Sequence, residues 1–224
     1  MLELGAATGA CTLELARRSY DVTAVDVSPG LIEQLKDNAV AAGLDGRIAA
    51  VVADARDLAK VSGTGFDVVL MMGPLYHLVE KVDREATLQE ALRRMRPGGL
   101  IFSAFLSRFG VLSDLIRNVP GWIEDQDHVR SLLDIGSRPA SYPRRGFRAY
   151  FALSSEIAPL HEAISFQTIS VVGVEPAIAA HDESFNQLEG RQREQWLDLL
   201  FEIGSEPSIV GASRHLLYIG SKPR

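Results

Sequence analysis

An excess of basic residues, paired cysteines and long apolar runs are all missing from this 224-residue chain, and each absence closes off a class of proteins. With 23 Lys and Arg against 29 Asp and Glu, the formal net charge is −6. Such a chain has no general attraction to phosphate backbones or anionic membranes, so no nucleic-acid partner is expected. The single cysteine, Cys11, excludes an internal disulfide and fits a reducing compartment. No apolar run approaches the ~20 residues that span a bilayer, and the first residues show no basic stretch leading into a signal-type apolar segment. The chain therefore reads as soluble and cytoplasmic, with no membrane partner. His77, His128, His161, His181 and His215 are scattered, with no pair at metal-ligand spacing, so no metal is expected.

What is present is an alternation of short apolar runs with longer helical patterns, the mark of a parallel sheet covered on both faces. Met1 to Leu4, Val22 to Val25, Ile48 to Val52, Phe66 to Met71 and Leu100 to Phe105 read as buried strands. Between the second and third, Ser28 is placed to cap a helix, Pro29 stands at its first position, Leu31, Leu35 and Ala39 form a stripe, and Gly43 ends it. A second clear helix spans Arg84 to Arg96, with Leu88, Leu92 and Met95 on one face, and stops at Pro97-Gly98-Gly99. The pattern changes at 107–154, where glycines and prolines are frequent and no long periodic stretch appears. That segment reads as an insertion over the sheet of a single domain, 1–224. Helix-like Ser154 to Ala163, alternating Ser165 to Glu175, helix-like Gln187 to Phe201 and β-type His215 to Gly220 follow. The last two strands are placed to pair antiparallel at one edge, and Trp196 reads as core.

The chemistry sits where strands end. Glu3-Leu4-Gly5-Ala6-Ala7-Thr8-Gly9 runs from the first strand into a helix, and its small residues let backbone and helix N-terminus come close to a ligand. Asp26, with Val27 beside it, ends the second strand at the place where an acid accepts from both ribose hydroxyls of a nucleoside. Nicotinamide-binding domains use the same device, so these two features alone leave the cofactor open. Asp54-Ala55 after the third strand and Met72-Gly73-Pro74-Leu75-Tyr76-His77-Leu78 after the fourth are two further clusters.

Taken together, these segments resemble class I S-adenosylmethionine-dependent methyltransferases, strongly from Leu2 to Leu106 and weakly through the insertion. The resemblance implies an α/β, Rossmann-like, doubly wound and mostly parallel seven-stranded sheet with an antiparallel edge strand and an insertion after the fifth strand. Glu3, Gly5 and Gly9 match the family's glycine-rich motif, with Ala7 where a middle glycine is usual and Ala6 in the same loop. The family pattern implies that Glu3 helps hold the methionine end of the cofactor, Asp26 the ribose, and Asp54 with Ala55 the adenine. Met72 and Gly73 would line the cofactor. The Gly-Pro-Leu-Tyr-His-Leu stretch is similar to one in bacterial small-molecule methyltransferases and implies a small-molecule acceptor. His77 is the candidate general base, since an imidazole titrates near pH 6.5; a purely structural role stays open beside it. Tyr76, Tyr150 and Phe151 are candidates to line the acceptor pocket, against the reading that the last two pack the insertion's own core. Arg144, Arg145 and Arg148 beside Tyr142 and Phe147 read as a solvated loop. Family members generally carry an N-terminal helical segment over the cofactor, which this sequence, starting in the first strand, is expected to lack. A non-catalytic cofactor-binding or interaction domain and a nicotinamide-dependent oxidoreductase remain alternatives, as does a homodimer.

Overall fold

Strands that are apolar along their whole length, joined by helices, satisfy both faces by parallel pairing with helices above and below. The computed structural model describes residues 1–138, 148–174 and 182–224. Its element order is β1 (Leu2–Leu4), α1 (Ala10–Arg17), β2 (Val22–Asp26), α2 (Pro29–Ala41), β3 (Ile48–Val52), β4 (Phe66–Met71), α3 (Pro74–His77), α4 (Lys81–Arg94) and β5 (Met95–Ser107). There follow α5 (Leu112–Asn118), α6 (Gln126–Ile135), β6 (Phe151–Ala152), α7 (Ser154–Glu162), β7 (Gln167–Gly173), α8 (Asp182–Asn186), α9 (Gly190–Ile203), α10 (Pro207–Ala212) and β8 (His215–Ser221). The sheet runs β3-β2-β1-β4-β5-β8-β7, with the two-residue β6 alongside the end of β5. The first five strands are parallel, whereas β8 pairs antiparallel with both β5 and β7. Seven strands in the expected arrangement are thus present, with β6 as an eighth.

Several local expectations shift for physical reasons. In α2 the Ser28 hydroxyl accepts from Leu31 N at 3.4 Å and Pro29 opens the helix, but Ile32, Leu35 and Ala39 are the buried positions. Leu31 turns instead to a cavity. Gly43 adopts φ +65°, the left-handed conformation that ends helices without Cβ strain. Helix α4 begins earlier than expected and ends at Arg94, because Met95 already pairs with Phe66 in the sheet. The edge strand β3 is only partly buried, unlike the central β1. Two helices and a 3₁₀ turn (Pro120–Glu124) occupy the insertion, where no periodic stretch was expected. Asp125 caps α6 by accepting from His128 N at 3.1 Å, and Gly136 at φ +68° closes it. Trp196 is 45% exposed, and Leu200 is the one buried residue of α9, so the core reading of Trp196 is corrected. Tyr142, Arg144, Arg145, Phe147 and His181 lie outside the described residues. No helix among the described residues is long and apolar enough to cross a membrane.

The core between the sheet and the helices on the α4 and α7 side is built from Leu2, Leu4, Met71, Leu88, Ile101, Phe105 and Tyr218, all fully buried. One polar group is sealed into it. His161 of α7 stacks on Tyr218 with centroids 3.6 Å apart and meets Phe105 and Phe166 edge-on. Because a carbonyl only accepts, Nδ1–H donates to Ile157 O (2.8 Å), which leaves Nε2 to accept from the Ser103 hydroxyl (3.2 Å). Burial strips solvent from the charged form and pulls the imidazole down to about 4, outweighing the opposing hydrogen bond that it donates to Ile157 O.

The unfolded chain protonates this histidine near pH 6.5 and the folded chain only near pH 4, so folding stability is full above about 6.5 and falls between the two values. Linkage gives a loss of about 2 kcal/mol by pH 5 and about 3 kcal/mol in all, with no further change from this group at lower pH. Urea titrations across this range should show that loss in the wild type. His161→Phe, measured in parallel, should lack it; equal pH slopes would place the acid sensitivity elsewhere.

Candidate active site

Strand order reverses direction at β1: the chain crosses from β1 to β2 on one side and from β3 back to β4 on the other. Crevices form at such switch points, outside the carboxyl ends of the strands. Here the crevice is a cavity of about 660 Å³ that collects the ends of β1, β2, β3 and β4. Its wall includes Glu3, Gly5, Ala6, Ala7, Asp26, Val27, Asp54, Ala55, Met72, Gly73, Tyr76 and His77. These segments are far apart in sequence, and the sheet alone brings them to one place.

The loop after β1 is shaped by close approach. Gly5 has φ +76°, and a Cβ there would stand 2.7 Å from Cδ of Pro74; Gly9 has φ +92°, and a Cβ would stand 2.9 Å from Leu35 Cγ. Gly9 is therefore a packing requirement beneath the loop, outside the cavity wall. Between them Ala7 is held at φ +48°, a left-handed conformation that favours glycine, at the position where the motif usually has one. Ala7 N and Ser28 N both donate to the Asp26 carboxylate, each at 2.9 Å, which fixes that group at the cavity's edge.

The three acids differ in environment. Glu3 is 2% exposed; burial pushes its carboxyl above the ordinary value, against a lowering hydrogen bond donated by the Thr12 hydroxyl. Asp54 is half-open and held below the usual range by Arg56, whose side chain grips it through Nε (3.0 Å) and Nη2 (2.7 Å). Arg56 also reaches Asp83 of α4 at 3.0 Å, tying the third strand's loop to that helix. On the far wall the Tyr76 and His77 rings lie 4.7 Å apart, and burial raises the Tyr76 phenol.

Tyr150 and Phe151 do not line this cavity. Tyr150 borders a second, smaller one, and Phe151 sits in β6 with its carbonyl taking Arg108 Nε at 3.1 Å. Sequence reasoning missed Cys11, Leu31 and Arg56 as wall residues. Arg56 was findable as a cation two residues from an isolated acid; Cys11 and Leu31 depended on which way their helices rotate.

A family model described as a methyltransferase domain matches residues 1–99. The chain is 35% identical over 121 residues to a magnesium-protoporphyrin O-methyltransferase from Rhodobacter capsulatus, covering 51% of each protein. It is 32% identical over 108 residues to a ubiquinone biosynthesis O-methyltransferase from Caulobacter vibrioides, covering 48% of this chain and 41% of that protein. It spans about half the length of these curated relatives. A solved S-adenosylmethionine-dependent methyltransferase from Methanosarcina mazei superposes with a TM-score of 0.66 over 99% of this chain and 91% of that one, at 19% identity. Residues 1–99 thus match a methyltransferase-domain model, and the chain as a whole has the fold of class I S-adenosylmethionine-dependent methyltransferases. The cofactor of that class is S-adenosylmethionine, and a crevice with a glycine cradle at one end and separate acids along its length fits it.

Replacing Ala7 by glycine removes the cost of a left-handed alanine, about 1–2 kcal/mol, and adds back unfolded-state entropy of about 0.4–1 kcal/mol. Ala7→Gly should therefore raise stability by roughly 0.5–1 kcal/mol in urea titrations. A loss of stability would show that the methyl group contributes packing that outweighs the strain.

Proposed function

We propose that this chain transfers a methyl group from S-adenosylmethionine to a small-molecule acceptor. The observation that carries the reading is the meeting of Glu3, Asp26 and Asp54 around one crevice, ordered along it as the strand ends are ordered in the sheet. In this reading Glu3 holds the methionine end and Asp26, already oriented by two backbone N–H groups, accepts from the ribose hydroxyls. Asp54 Oδ1 is taken by the backbone N–H and Nε of Arg56, so Oδ2, held chiefly by Nη2, is the oxygen that accepts from the adenine amine. Val27 and Met72, 67% and 36% exposed at the rim, lie flat against the base.

When bound, the cofactor supplies a methyl carbon on a positively charged sulfur. Held by Glu3, Asp26 and Asp54, it would give up that methyl to an acceptor lone pair, with the electrons of the broken bond kept by its sulfur. Because charge is dispersed in this step, alignment and exclusion of water contribute most of the acceleration. The wall of Gly73, Tyr76 and His77 provides both, and His77 takes the proton that a hydroxyl or ammonium acceptor must lose. We assign residues 107–154 to the acceptor side of a single 1–224 domain. The chain's acidity favours a small molecule over a nucleic acid as acceptor.

Calorimetric titration with S-adenosylmethionine, S-adenosylhomocysteine, NAD(H) and NADP(H) tests the cofactor assignment. Saturable binding of the first two should weaken about a hundredfold in Asp26→Ala, from the loss of two hydrogen bonds to a charged group. Selective binding of a nicotinamide cofactor would overturn the reading. His77→Ala should lower turnover about a hundredfold while leaving cofactor affinity nearly unchanged; unchanged turnover would return His77 to a structural role.

A further inference from the structure

Glu3 is the middle residue of β1, and its neighbours Leu2 and Leu4 enter the core on the α4 and α7 side. Successive side chains of a strand point to opposite faces, so Glu3 turns the other way, beneath α1. There Thr12 and Ala16, one turn apart, are the buried positions of that helix. Thr12 is fully buried, and its hydroxyl donates to Glu3 Oε2, since an ionised carboxylate only accepts. Glu3 belongs to the wall of the crevice, whereas Thr12 stands behind it.

One oxygen is left over. Glu3 Oε1 accepts from no donor among the described residues, yet it is not among the side-chain atoms sealed away without a partner. It therefore keeps contact with open space, and the open space that Glu3 borders is the crevice. The other two acids of the wall are already compensated: Asp26 accepts from Ala7 N and Ser28 N, and Asp54 is gripped by Arg56. No lysine or arginine pairs with Glu3 among the described residues. Burial therefore pushes its carboxyl up, towards the neutral form, and the Thr12 hydrogen bond opposes that by favouring the charged form. The neighbouring Cys11 thiol, itself raised by burial and then by Glu3, adds no competing anion. A buried carboxylate that is unpaired and open along one oxygen is a receptor for a cation.

We propose that Thr12 is a positioning residue for cofactor binding: by pinning Oε2 of Glu3 it turns Oε1 into the crevice, where that oxygen accepts from the ammonium group at the methionine end of S-adenosylmethionine. The proposal rests on the methyl-transfer reading for the identity of the ligand. Thr12 touches no ligand itself and acts through Glu3 alone. Without its hydroxyl the carboxylate is free to rotate about its last bond, and the oxygen offered to the ammonium is no longer fixed.

Calorimetry with a pair of ligands isolates this role. S-adenosylhomocysteine carries the amino-acid end, and 5′-methylthioadenosine is the corresponding nucleoside thioether without it. Thr12→Val removes the hydroxyl and should weaken S-adenosylhomocysteine about tenfold, the effect of losing one hydrogen bond to a charged group, while 5′-methylthioadenosine binds as before. Thr12→Ser should restore the wild-type affinity. In a Glu3→Gln background Thr12→Val should cost nothing further, because the two side chains act as one. Unchanged S-adenosylhomocysteine affinity in Thr12→Val, an equal loss for both ligands, or additive losses in the double variant overturns the proposal. Thr12→Ala makes the same comparison if valine disturbs the packing, and retained 5′-methylthioadenosine binding reports that the crevice is intact. A wild-type chain that binds neither ligand sinks the methyl-transfer reading together with the proposal; wild-type binding of both, with no discrimination between them by the Thr12 variants, sinks the proposal alone.

Discussion

The site depends on how closely the loop after β1 approaches the loop after β4. At Gly5 the two backbones come near enough that a single added carbon would collide with the Pro74 ring. Gly5 and Pro74 both line the crevice, so this contact is part of its wall. On one side the loop continues through Ala7 to Gly9 and into α1, with Ala7 N bound to Asp26. On the other, Pro74 starts α3 and fixes where Tyr76 and His77 stand. Close packing of backbone on backbone tolerates no side chain, which is the physical reason the segment is built from glycine and alanine.

The second half of the chain is attached by buried charge. Arg108 leaves the end of β5 and reaches Phe151 O, Leu133 O and both oxygens of Glu156, joining the insertion, β6 and α7. Glu156 passes the linkage to Tyr150, and the Tyr150 ring covers Arg84. Charges in such positions gain their energy only when geometry is good, so they hold one arrangement against near alternatives.

The family match ends at residue 99, just before the interior of β5, and the identity to the curated relatives is confined to about half of this chain. The division follows the architecture. Strands β1 to β4 carry the crevice, while the segments after β5 carry the insertion and, together with α4 and β5, close the second cavity. Solved structures with this fold at low identity establish the architecture alone, since one fold hosts many chemistries.

By itself the sequence determined the alternation of strands and helices, the capping of α2 by Ser28 and Pro29, the glycine-rich turn and the acids at the strand ends. These are local features: period, caps and turns depend on residues within a few positions of one another. The signals for α6 were also present in Asp125 and Gly136, but the helix is short and its apolar stripe brief, so they were outweighed by the glycines and prolines around them. Tertiary structure alone decided that Leu31 faces the cavity while Ile32 enters the core, that Trp196 lies half in solvent, and that Tyr150 covers an arginine 66 positions earlier rather than the cofactor crevice. Each of these turns on the rotation of a helix or the path of a long connection. Such choices are fixed by packing between elements distant in the chain, and no window of neighbouring residues contains that information.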